Sequence, residues 1–375
     1  MLLHRIMSFS ALQLSVLLPV TAWSQALFTE DFEGPSMGRL VSQQWTFHDA
    51  PGGSGELSGA AARRGTQGYR VIDQSTAPDR QVELGTSLPP LRANVFVRLF
   101  VRVDGLREGK LTNLVSMDGQ PAGTNQAALR LIGDRLVANL KARGEELLVN
   151  LVGPAVVRQQ WVLVEYLLTG AGTSSACVRF AVDGVQVGEA CDVDLSGLLF
   201  GKLGIGVTYQ APPAPTPTGV VDFDDLAFGS SPVASRLVIS ADARQVQTSD
   251  CVPLRLELRG SFAEGPVASA FDELVTVDPA FAVFGDPACQ QAALGVQLRA
   301  GQSSALGFVR GLRDGERPLG AKARSVVLDG EPVFTVSGAP TIGEPEPVRT
   351  GGCSSAPVSM ALLGLASALV RRRRP

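Results

Sequence analysis

The first chemistry on offer in this sequence is that of hard oxygen ligands. Asp31 and Glu33 stand near its beginning, and Asp222, Asp224 and Asp225 lie far downstream. Carboxylates of this kind suit Ca²⁺, which takes six to eight oxygens. On a regular strand Asp222 and Asp224 share one face while Asp225 turns to the other, so one ion cannot take all three. A structural Ca²⁺ is the one cofactor these residues suggest; solvated or turn-capping acids are the alternative. Acid–base chemistry has little to work with, because the chain has two histidines, His4 and His48. Trp45, flanked by Gln43, Gln44 and His48, has the polar surroundings of an aromatic platform for a sugar. Trp45 and His48 are therefore the candidate ligand-binding residues, and Trp161, heading an apolar strand, reads as core.

Other catalytic patterns are missing. Retaining glycoside hydrolysis needs two carboxyls about 5 to 5.5 Å apart, which alternating acids on one strand would supply. No such run occurs, and Glu30-Asp31-Phe32-Glu33 has the wrong spacing. No G-x-S-x-G nucleophile turn is found. Gly201-Lys202-Leu203-Gly204-Ile205-Gly206 leads into a strand rather than a helix, so its glycines read as strand glycines and not as a phosphate loop. There is no C-x-x-C pair for zinc. Leaving Cys353 aside, the cysteines form two local pairs, Cys177 with Cys191 and Cys251 with Cys289, each inside one expected domain. Disulfides in an oxidising compartment are the expectation.

The elements that must position these residues follow from composition and pattern. With 375 residues, 41 glycines, 24 prolines and 6% aromatics, the chain suits strands and turns rather than a helical bundle. Residues 1–26 read as a secretory signal peptide: His4 and Arg5, an apolar run Ala11 to Val20, then small residues. At the other end Gly351-Gly352-Cys353 precedes the apolar stretch Ala356 to Val370 and Arg371 to Arg374. Positive charge retained inside would leave everything before it outside. Without these ends the body carries 28 basic and 36 acidic residues, a net of −8. That excludes a phosphate-backbone binder, so no nucleic-acid partner is expected.

Between the ends the chain reads as two β domains, 27–230 and 235–337, with a Pro/Gly-containing stalk at 338–352 and an anchor at 353–375. Val95, Val97, Leu99, Val101 and Val103 alternate with Phe96, Arg98, Phe100 and Arg102, a strand expected to be partly exposed on the second face. Gly133-Asp134 and Asp183-Gly184 mark hairpin turns. The Pro-rich stretch 211–217 reads as a surface loop. Seven or eight short strands in about a hundred residues suggest an immunoglobulin-like second sandwich, although it has no Trp.

Two resemblances add to this. The Gly-Cys pair, short hydrophobic helix and arginine cluster resemble the myxobacterial C-terminal sorting signal (MYXO-CTERM). That resemblance implies processing near Cys353 by a sorting protease, transient membrane attachment through the C-terminus, and display at the cell surface. The opening Phe28-Thr29-Glu30-Asp31-Phe32-Glu33-Gly34, Trp161-Val162-Leu163-Val164-Glu165, the Asp183-Gly184 turn and Val221-Asp222-Phe223-Asp224-Asp225-Leu226 resemble concanavalin A-like, laminin-G-like jelly rolls. The implied fold class is all-β, an antiparallel jelly-roll sandwich followed by a smaller Ig-like one. The implied function is non-catalytic recognition of a glycan or an extracellular envelope or matrix protein. A polysaccharide lyase or glycoside hydrolase of the same fold is the first alternative, and a purely structural envelope protein the second. Lyases of this fold tend to use a His or Tyr base with an Arg or Gln that neutralises a carboxylate.

Overall fold

The computed structural model describes residues 26–38, 40, 45–49, 52–74, 82–104, 111–120, 126–141, 148–210 and 219–338. The expected signal peptide, Pro-rich loop, stalk and C-terminal segment with Cys353 lie outside them, apart from the single positions 26 and 338. Among the described residues no helix is long and apolar enough to cross a membrane.

Period-two alternation governs the first region. Val95, Val97, Leu99, Val101 and Val103 of the strand Val95–Asp104 are all buried in one apolar core. This strand lies in an eight-stranded sheet. From one edge the order is Val185–Val193, Ala176–Val182, Trp161–Thr169, Val95–Asp104, Gly219–Gly229, Gly68–Asp73 and Gly53–Ser58, with Ala26–Glu30 also pairing Gly219–Gly229. A seven-stranded sheet faces it: Leu148–Ala155, Arg135–Lys141, Ala127–Ile132, Leu111–Gln120, Leu199–Gln210, Val82–Arg92 and Thr46–His48. Every pairing in both sheets is antiparallel. Leu129, Leu131, Met117, Ile205 and Leu84 of the second sheet meet the valines of the first, which is how two sheets about 10 Å apart exclude water. The Asp183-Gly184 turn has φ of 49° and 79°, the left-handed pair a two-residue hairpin needs.

One irregularity matters for the outer surface. The register between Gly219–Gly229 and Val95–Asp104 shifts between Asp224 and Ala227, and Asp225 takes φ 48°. This bulge adds one residue to the strand. Phe223 and Leu226 both point into the core, while Asp224 and Asp225 are both left outside it. The expectation that Asp225 faces the opposite way from Asp224 is thus corrected: strict alternation would have driven a carboxylate among apolar side chains.

The second region has its own core around Leu237, Leu254, Leu256, Val275, Leu298 and Phe334. Its strands form a six-stranded sheet and two three-stranded ones, and two pairings are parallel, Arg236–Ala241 with Val327–Leu328 and Gln245–Gln247 with Val333–Ser337. Three sheets replace the two that strand spacing suggested. Both cystine bridges form as the local pairing required, Cys177–Cys191 and Cys251–Cys289. A third apolar cluster of Phe96, Leu167, Ala227, Val233 and Phe271 joins the regions across the outer face of the eight-stranded sheet.

Candidate functional site on the seven-stranded sheet

The residues singled out from sequence scatter over the molecule. Trp45 is no platform: it is 2% exposed, packed edge-on against Phe28 with ring centroids 5.2 Å apart. Its polar neighbours in sequence misled because its side chain turns inward. His48 is exposed on the edge strand Thr46–His48, opposite Glu83. Trp161, expected in the core, is half-buried on the outer face with the Arg102 guanidinium 4.9 Å over its ring.

The five acids do not make one cation site. Asp222 is gripped by Arg70 at 2.7 Å and Arg102 at 2.6 Å. Asp224 accepts the Arg63 backbone N–H at 2.8 Å. Asp31, Glu33 and Asp225 do converge, but on Arg324 of the second region, at 3.3, 4.0 and 3.0 Å. Guanidinium groups supply the positive charge that a metal would bring.

The second region covers the outer face of the eight-stranded sheet around Phe96, Glu165 and Ala227. Arg98 is fully buried there, which pushes its pKa down, while Glu165, Asp225 and Glu273 act to raise it. Glu165 accepts a hydrogen bond from Ser261 of the second region, and burial lifts its carboxyl to about 7. Burial likewise raises the adjoining Asp224 and Asp225, and lowers Arg63 to about 10. Arg63 lies 3.5 Å over the Phe100 ring and donates to the Arg324 carbonyl. Phe96, Arg98 and Phe100 are therefore interior, and the expected partial exposure of this face is confined to its Arg102 end.

The outer face of the seven-stranded sheet is built differently. Register places Thr46, Gly85, Gly204, Ser116, Ala128, Asn139 and Asn150 in one line across its strands. Most are small, so the line is a trough. A β-carbon on Gly204 would stand 2.7 Å from the Glu83 carboxyl carbon and 2.8 Å from Ser116 Oγ, and one on Gly85 would stand 2.7 Å from Glu83 Oε1. The two glycines thus leave the hollow in which the Glu83 carboxylate rests. Lys202 Nζ holds that carboxylate at 2.7 Å and reaches Asp118 at 3.8 Å. Burial works against the Lys202 charge, but the two acids together keep its pKa raised.

On the other side of the trough Tyr209 stands opposite Asn113, and Asn113 opposite Arg130. Arg130 is 6% exposed, and desolvation lowers its pKa; the titratable groups acting on it are the phenols of Tyr209 and Tyr166. Its Nε has no hydrogen-bond partner, and among the described residues no carboxylate comes within ion-pair distance. Asn139 is fully buried nearby, donating to the Val149 carbonyl at 3.2 Å and to Asn150 Oδ1 at 2.9 Å. Tyr166 crosses the core to donate to the Asn139 carbonyl at 3.3 Å. The middle of the face is closed to solvent, while Thr46, His48 and Asn150 at its ends are open. Sequence reading missed Arg130, Asn113, Asn139, Tyr209, Glu83 and Lys202. The signal was a lone polar residue at an outward position of an apolar strand, as in Ala-Leu-Arg130-Leu-Ile.

No family model and no curated protein matches the chain. Solved structures do resemble it. An endo-β-1,4-glucuronan lyase from the fungus Trichoderma reesei is 11% identical, with TM-score 0.42 over 55% of this chain and 96% of that one. The cellulose-induced protein Cip1 is 15% identical, with TM-score 0.41 over 54% and 97%. Alginate lyase A1-II', of polysaccharide lyase family 7, is 14% identical, with TM-score 0.40 over 52% and 99%. Against the expectation of a non-catalytic protein, two of these neighbours are polysaccharide-cleaving enzymes.

Proposed function

We propose that the chain is a polysaccharide lyase of jelly-roll architecture, working on the outer face of the seven-stranded sheet. The observation that carries this reading is Arg130, a buried cation with no carboxylate partner among the described residues. An unpaired buried charge costs several kcal/mol, and an incoming anion removes that cost. A uronate carboxylate is such an anion. Arg130 and Asn113 would hold it and spread its charge, which acidifies the proton on the neighbouring ring carbon. Tyr209, opposite Asn113 in register, would take that proton. The glycosidic C–O bond breaks as the ring C=C forms, and the departing oxygen takes up the proton from the same phenol. Arg130 is nearly shut off from water, so a polymer reaches it only when this face opens. Water exclusion then strengthens the ion pair.

The two disulfides and the end segments favour an exported protein displayed at the cell surface, where such polymers are met. The test is incubation of the whole chain with polyglucuronate and alginate, followed by the ultraviolet absorbance of the conjugated unsaturated product. Absorbance that grows with wild type and is lost in Arg130→Ala and Tyr209→Phe supports the reading. No product from any acidic glycan, with the protein folded, overturns it.

A further inference from the structure

The two sides of the trough differ in charge, and that difference bears on which acidic polymer fits. At Arg130 there is a cation with no acid beside it. At Lys202 there are two acids around one cation, Glu83 at 2.7 Å and Asp118 at 3.8 Å, a cluster that is net negative by one. Glu83 is also the group that occupies the trough itself, in the hollow left by Gly85 and Gly204 and beside Ser116 Oγ. It is 4% exposed, so its carboxylate is only weakly screened.

Spacing separates the two ends. Arg130 and Ala128 are two residues apart on one strand, and Ala128, Ser116 and Gly204 are opposite neighbours on three adjacent strands. By strand rise and strand spacing the Arg130 and Gly204 positions are roughly 12 Å apart. A single sugar ring whose carboxylate sits at Arg130 does not reach that far, so Glu83 meets a different sugar of the same chain.

Building on the lyase reading, we propose that Glu83 is a specificity-determining residue that rejects a second carboxylate, so that the preferred substrate alternates a uronate with an uncharged sugar. Like charges brought together in a poorly screened site repel strongly, whereas the same carboxylate accepts hydrogen bonds from hydroxyl or acetamido groups. The polar lining of the trough, Ser116 and Thr46 with Glu83, suits those groups.

The experiment measures kcat/KM of the whole chain on two polymers, a homopolymer of glucuronate and one alternating glucuronate with N-acetylglucosamine. Wild type is expected to favour the alternating polymer by about tenfold or more, and Glu83→Gln to shrink that ratio by about tenfold, mostly through faster cleavage of the homopolymer. Asp118→Asn, which leaves the Glu83–Lys202 pair in place, is expected to move the ratio the same way by less. It keeps the test open should E83Q misfold. A wild type that favours the homopolymer, or a ratio unmoved in the folded variants, overturns the role of Glu83 while leaving the lyase reading intact. Failure of the folded protein on both polymers and on alginate overturns the lyase reading and this inference with it; failure on both polymers with alginate cleaved overturns this inference alone.

Discussion

Each sheet of the first region buries an arginine on its outer face, and the two are completed in opposite ways. Arg98, on the eight-stranded sheet, is fully buried. Among the described residues its guanidinium nitrogens have no hydrogen-bond partner and no carboxylate lies within ion-pair distance, but Glu165, Asp225 and Glu273 stand near enough to act on its charge, and the second region supplies Glu273 and covers the rest. Among the described residues Arg130, on the seven-stranded sheet, has Asn113 opposite it and two phenols acting on its charge, with no carboxylate within ion-pair distance. Sheet alternation puts both outward; what differs is whether the rest of the chain brings carboxylates to them. The lesson is that a buried cation with acids of its own chain gathered near it reads as structural, and one with none near it is a place for a ligand.

The largest effect should fall on the answered side. Arg98→Ala removes the cation from a nest of buried carboxylates and should cost about 3 to 5 kcal/mol in denaturant unfolding of the whole chain. Arg130→Ala should do the converse. It relieves an unpaired cation, so stability should hold or rise, while turnover of an acidic polymer should drop about 10² to 10³-fold. If instead R130A destabilises as strongly as R98A, Arg130 is structural too and the contrast between the faces disappears.

A pH profile sharpens the same comparison. Glu165 is raised from 4.5 to about 7 by burial against the second region. A carboxyl with a raised folded pKa keeps its proton better when folded, so stability is greatest below the unfolded value and falls as pH climbs through the folded one. The window here is pH 4.5 to 7, and the loss is at most roughly 3 kcal/mol. Glu165→Gln should flatten this slope and be the more stable form at pH 8. A wild-type profile that is level across the window would show that the seam does not hold that proton.

Much of this architecture could be read from local pattern. The alternation at Val95 to Val103, the Gly133-Asp134 and Asp183-Gly184 hairpins and both disulfides depend on neighbours close in sequence. In the second region Phe281–Phe284 begins and ends where its apolar run does. What could not be read depends on partners far away. Arg98 looks solvated until residues 165, 225 and 273 gather around it. Asp225 looks inward-facing until a bulge adds one residue. Trp45 carries polar neighbours in sequence, yet its side chain joins the core beside Phe28. The trough residues escaped for a related reason. Gly85, Gly204 and Ser116 come from three strands, and only register shows that they adjoin and leave room for Glu83.

The smallest expected effect concerns His48, the one histidine of the body and so the natural suspect for a base. It lies on the same face as Arg130 but on the three-residue edge strand, with its side chain open to water and Glu83 as its cross-strand neighbour. Between it and Arg130 stand Val82–Arg92, Leu199–Gln210 and Leu111–Gln120, so that four inter-strand steps, roughly 19 Å of sheet, separate its strand from Ala127–Ile132. A proton acceptor that far from the proposed carboxylate clamp at Arg130 cannot reach the ring carbon next to a carboxylate held there, since acid–base transfer needs hydrogen-bond contact or one bridging water. Exposed edge residues also contribute little to stability, within about 0.5 kcal/mol. His48→Ala should therefore leave both unfolding and polymer cleavage close to wild type. Should cleavage collapse in His48→Ala while Tyr209→Phe stays active, the reacting centre belongs at the edge strand, and the unanswered charge of Arg130 would serve binding alone.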